Sequence, residues 1–171
     1  MKKLFVAGTL MLMFGAVSAF AQTTGSGTLT ATATVQGSLQ LVFDSNASGP
    51  ALTGTGTSNA TLAFGTIQAY GGSLATGVSR TAGASSFTVS APFDVFVSKA
   101  NVTSTGYTLT ANVTDATNTW AIGATAINGG GTVTTAGTYG ADNPFTLNLT
   151  VPYSSAAGSI SKAISFTATA N

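Results

Sequence analysis

An antiparallel β-sandwich is the fold predicted by three features of this 171-residue sequence. Apolar and polar residues alternate with a period of two over many short stretches, the mark of strands with one face in a core and one in water. Beyond residue 21, apolar residues nowhere recur at three and four over a helical length. Gly, Pro and Asn clusters punctuate the chain at short intervals, giving seven to ten strands. A sandwich is favoured over a small barrel because long strands that bend midway can serve both sheets.

Taken in order, the chain opens with Lys2 and Lys3, an apolar run from Leu4 to Phe20, and Ala19-Phe20-Ala21. This is the pattern of a secretory signal peptide over residues 1–21, cleaved after Ala21, and it predicts an exported protein of a Gram-negative bacterium. No other apolar run is long enough to span a bilayer, so an integral membrane protein is not expected. Residues 22–171 then form one domain, with 22–36 as an extension or donor strand.

From Leu29 the odd positions read Leu29, Ala31, Ala33, Val35, Gly37, Leu39, Leu41 and Phe43, with Thr, Gln and Ser between them as far as Gln40. A single strand of that length would reach roughly 50 Å, whereas a domain of this size has a radius of gyration of about 15 Å. The stretch therefore divides at Gly37. Leu39, Leu41 and Phe43 belong to the core, while Leu29, Ala31, Ala33 and Val35 either fold back into the second sheet or fill a neighbouring molecule. Thr30, Thr32 and Thr34 read as ordinary solvent-facing strand residues rather than an ice-ordering array, which needs several strands in register.

Asp44 to Asn59 reads as a loop. Thr61 to Ile67 is predicted as a short strand with a bulge or close backbone approach at Gly65. Phe87 to Val97 alternates again, but Pro92 makes it either an edge strand or two strands joined by a bend. Tyr107 to Val113 alternates with Thr108, Thr110 and Asn112 outward. Trp120 and Ile122 open another strand, Asn128 to Gly131 turns back into Thr132 to Thr135, and a turn at Gly140 to Pro144 leads into Phe145 to Tyr153. The last row runs Gly158, Ile160, Ile164, Phe166, Ala168, Ala170. Lys162 falls on that row, so either the core ends before it or the strand bulges there.

Composition narrows the function. Without residues 1–21 the chain keeps Arg80, Lys99 and Lys162 against four aspartates, a net charge of −1. Three scattered cations build no basic patch, so nucleic acid is excluded as a partner. The surface must be Thr, Ser, Asn and Gly, which does little to oppose self-association. Cys, His and Glu are all absent, and with them the thiol nucleophile, the imidazole base and the Glu acid. Asp94, Asp115 and Asp142 read as solvated loop residues, and Asp142-Asn143 as a turn pair rather than calcium ligands. The expectation is a non-enzymatic protein that uses no cofactor. Most aromatics lie on inward rows, so they read as core. Tyr70 and Tyr139, surrounded by loop residues, are the candidate exposed aromatics.

Leu62-Ala63-Phe64-Gly65-Thr66-Ile67 after the long alternation, Phe87-Thr88-Val89-Ser90, and the Gly158-started ending together resemble bacterial fimbrial-type subunits. The likeness is to the spore-coat-U-like secreted domains and a related secreted family in particular. The resemblance implies an immunoglobulin-like sandwich at the cell surface, lacking one strand that a chaperone and then a neighbour's N-terminal extension supply. The expected function is a surface structural subunit, fimbrial or coat-like, self-associating into a homo-oligomer or fibre by β-strand addition, with Leu29, Ala31, Ala33 and Val35 as the donated row. The alternatives are a monomeric secreted module binding a glycan or surface polymer, and an outer-membrane barrel, whose aromatic girdles are not evident.

Overall fold

The alternating stretches become nine strands that form two antiparallel sheets packed as a β-sandwich, with no helix among the described residues. The computed structural model describes residues 26–171; the signal-peptide prediction over 1–21 lies outside them. The chain divides into two units, one up to Thr34 and one spanning Val35–Asn171.

The larger sheet contains β1 (Ser38–Asp44), β2 (Ser79–Ala82), β3 (Ser86–Ala100), β8 (Asp142–Pro152), β5 (Thr119–Ile122) and β6 (Thr125–Ala126) in the order β1-β3-β8-β5-β6, with β2 also on β3. The smaller has the order β7-β4-β9, from β7 (Gly131–Thr138), β4 (Gly106–Val113) and β9 (Ile164–Ala170). In immunoglobulin notation β1-β3-β8-β5 follow the A-B-E-D order and β4-β9 the C-F order. These are two open sheets rather than a closed barrel. Among the described residues no helix is long and apolar enough to cross a membrane.

The core lies between the central strands. Val89, Val95, Val97, Tyr107, Leu109 and Ile127 are fully buried, and Trp120, Ile122, Leu147, Leu149 and Val151 complete it. The outer faces carry hydroxyls, as the sequence predicts. Thr81, Thr88, Thr150 and Thr119 fall in one row across four strands, and the Thr88 and Thr150 hydroxyls are bonded at 2.7 Å. Neighbouring Thr side chains on a sheet satisfy each other without charge.

Three predicted elements need correction. First, β3 is one unbroken central strand, neither an edge nor a bent pair. β1 covers it only from Asp94 to Ala100 and β2 only from Phe87 to Ser90, so Pro92 falls in the gap between them. The Gly49 backbone closes against the Pro92 carbonyl there, where a Cβ would lie 2.1 Å from the oxygen. A strand residue's N and C=O point the same way, so the N–H that Pro lacks would have faced this gap and no ladder bond is lost. Second, Thr61 to Ile67 is not a strand. Only Thr61 bridges, to Thr53; Gly65 has φ 69°, a turn conformation that breaks the extended run. Leu62, Phe64 and Ile67 still pack against the core as a loop. Third, the last strand begins at Ile164, leaving Gly158, Ile160 and Lys162 outside it.

Glycine at 137 is a packing requirement. A Cβ there would sit 2.3 Å from the ring of Tyr107, its fully buried partner in the β4–β7 ladder. Gly137→Ala is expected to cost about 1–3 kcal/mol by overpacking, read as a lower denaturation midpoint at unchanged slope.

Candidate functional site

Residues 26–37, which hold Leu29, Ala31, Ala33 and Val35, carry no regular secondary structure and are exposed throughout. Gly37 is therefore a boundary rather than a hinge between two strands: β1 starts at the next residue. Leu29 is 93% and Val35 72% exposed, the two most exposed large apolar side chains among the described residues. A Leu or Val left in water forgoes roughly 1.5–3 kcal/mol that burial would release. The row belongs to neither sheet.

The domain has an apolar seam of its own, between β1 and β9. Among the named strands β1 pairs only with β3 and β9 only with β4; the other edge of β1 is already met at Phe43 by Gly56 and Thr57, so the free edge is that of β9. A free edge offers unpaired N–H and C=O groups to another strand. In the immunoglobulin order the strand beside β9 would be G; among the described residues none pairs there.

Burial falls off toward this seam. Val95 and Val97 are fully buried on β3, while their partners Phe43 and Leu41 on β1 are only half-buried. Leu109 and Ala111 are buried on β4, while their partners Ala168 and Phe166 on β9 are half-buried too. The apolar side chains of β1 and β9 thus stay half-exposed along this side of the core.

The seam also has a size profile. The Phe43 and Phe166 rings meet edge to face at 5.0 Å, and Phe166 meets Phe93 at 5.9 Å. Aromatic pairs in that geometry hold together well, so they close the seam at this point. β1 and β9 run in opposite directions, so Leu41 and Leu39 lie toward Ala168 and Ala170, which are small.

The two candidate aromatics separate. Tyr70 is 70% exposed, as expected of a loop residue between Ala69 and Gly71. Tyr139 is not presented: it packs 5.4 Å from Tyr107, its hydroxyl is buried, and the Lys99 ammonium sits 4.9 Å above its ring. Proximity to Gly140 suggested a loop, but the ring folds back over the end of the core.

The aspartates depart most from the sequence reading. Asp94 is nearly buried on β3 and accepts a hydrogen bond from Asn46 Nδ2 at 2.7 Å, while Asp142 is the exposed first residue of β8. Asp115 has a side chain only 2% exposed. It accepts from Trp120 Nε1 at 2.9 Å, Asn118 Nδ2 at 3.0 Å, and the backbone N–H groups of Thr117 and Asn118. Burial pushes its pKa up, but these donors together outweigh burial and hold the carboxyl well below the usual carboxylate range. Asn128 completes the cluster: its Oδ1 accepts the Trp120 N–H and its Nδ2 donates to the carbonyls of Asp115 and Asn118. Lys162 approaches Asp115 at 3.8 Å, which explains a lysine at that position. The local signal was Asp-Ala-Thr-Asn before Trp120, an Asx-turn spacing; the Trp and Lys contacts are tertiary.

Compared with protein-family models, with curated proteins and with solved structures, the chain matches none.

Proposed function

We propose that the protein is a non-enzymatic, exported surface structural subunit, fimbrial or coat-like, that self-associates by β-strand addition. The donor is the Leu29, Ala31, Ala33, Val35 row of one molecule, and the acceptor is the β1–β9 seam of another.

The observation that carries this reading is the pairing of two incomplete features: an alternating apolar row outside any sheet, and a half-buried apolar seam with a free edge on β9. Main-chain hydrogen bonds to such an edge supply affinity, and alternate side chains fill the space beneath. The profiles agree. The donor row reads large, small, small, large, so its alanines would face the Phe43–Phe166 contact and one end residue would meet the small side chains of Ala168 and Ala170. A surface with so few charges offers little repulsion between copies, and the absence of Cys, His and Glu supports a structural role.

Electron microscopy and native gels of the mature protein test the reading. Filaments or ladders of oligomers are expected; a monodisperse, stable monomer overturns it.

A further inference from the structure

Tyr70, the exposed aromatic, is not on a loose loop. Arg80 Nη1 donates to the Gln68 carbonyl at 2.8 Å and to the Gly71 carbonyl at 2.6 Å, gripping the chain on both sides of it. Gly71 and Gly72, both at positive φ, turn the backbone immediately afterwards. The Tyr70 ring lies 5.5 Å from that of Tyr153, which stacks on Phe87 at 6.3 Å and 16°. The Tyr153 hydroxyl donates to the Gly83 carbonyl at 2.8 Å. Fixing a loop costs conformational entropy, and burial of Tyr70 returns little of it. The chain's one arginine thus serves to hold an aromatic face toward water.

We propose that Tyr70, Tyr153 and Arg80 form a binding site for a pyranose ring of a polysaccharide. The axial C–H face of a pyranose is flat and weakly positive, and it matches the electron-rich face of a tyrosine. Held tyrosines offer large contact area at small entropic cost, because the ring has only two side-chain torsions to fix. Sugar hydroxyls need directional donors at the rim. Arg80 has them: among the described residues only its Nη1 is engaged, so Nε and Nη2 remain free to donate to hydroxyls or to a uronate carboxylate. Residues 22–171, with three scattered cations against four aspartates, leave no field to attract a polyanion at long range, so recognition rests on stacking and short hydrogen bonds. These residues are not those of the β1–β9 seam, and the proposal stands independently of self-association.

Affinity electrophoresis of the full mature protein tests it, in gels containing a neutral β-glucan, a chitin-type polymer or a polyuronate. Retardation in at least one gel is expected, and Tyr70→Ala should weaken it about tenfold or more. Preference for the polyuronate would assign the guanidinium to a carboxylate, preference for a neutral polymer to hydroxyls. Thermal melts check that Tyr70→Ala is folded, and Ile160→Ala, at an exposed position elsewhere, is the control that keeps binding. No retardation by any polymer, or equal retardation of folded Tyr70→Ala, overturns the proposal. Filament formation by Tyr70→Ala is expected to be unchanged, which separates this site from the seam.

Discussion

Protein comprising residues 37–171 is expected to remain folded and to be strictly monomeric, at concentrations where protein comprising residues 22–171 is expected to form oligomers. The fully buried residues, from Val89 and Val95 on β3 to Leu109 on β4 and Leu149 on β8, all lie within Val35–Asn171. Residues 26–36, the described part of the deleted stretch, contribute no strand to either sheet. Gly37, where the shortened chain would start, already packs closely on Asn101 and Val102, so β1 keeps its entry.

Assembly should respond quite differently. Burying Leu29 and Val35 in a neighbour is worth roughly 1.5–3 kcal/mol each, so losing both lowers the association constant by about two to four powers of ten. The full-length Leu29→Asp/Val35→Asp variant should match the truncation, because it spoils the apolar row and keeps the backbone. Sedimentation velocity and thermal melts read both quantities. Unfolding of the truncated protein would show instead that residues 29–35 form the domain's own first strand, and unaltered oligomers would remove them from the interface.

Asp115→Ala is expected to be among the most damaging single substitutions away from the apolar core. It strips the acceptor from Trp120 Nε1, Asn118 Nδ2 and two backbone N–H groups at once. The Thr117 N–H is exposed and can turn to water, but a buried donor left unpaired costs roughly 1–3 kcal/mol; because the other three share one cluster their losses do not add, and about 2–4 kcal/mol is expected in total. Lys162, with over a third of its side chain exposed, adds little to this.

The same carboxylate sets an acid limit. Its folded pKa is depressed below the value near 3.9 of an unfolded aspartate. Its contribution is therefore complete above about pH 4 and is lost as pH falls below that toward the folded pKa. Chemical denaturation should show wild type losing stability below pH 4, with a much shallower loss in Asp115→Ala. Parallel acid profiles would refute the assignment.

Whether a residue faced inward or outward was legible wherever the period of two ran unbroken: Val89, Leu109, Leu149 and their neighbours lie inside, with Thr88, Thr110 and Thr150 on the other faces. That alternation is a property of the extended backbone and needs no knowledge of neighbours. Pro92 shows the limit. Its effect depends on which strand lies beside it, and β1, distant in sequence, and the short hairpin strand β2 leave between them the gap that tolerates it. Tyr139 and Asp115 fail for the same reason, since local polarity and nearby glycines do not say whether Tyr107, Trp120 or Lys162 will arrive.

For the candidate site, the sequence alone singled out the apolar row, because Leu29, Ala31, Ala33 and Val35 alternate on a stretch too long for one strand of such a domain. Only the tertiary structure decided that this row forms no strand of either sheet and that the apolar residues of β1 and β9 stay half-exposed at a seam. Periodicity records which side of a strand is apolar. The seam is made by two strands more than a hundred residues apart, and it exists only once the sheets have packed.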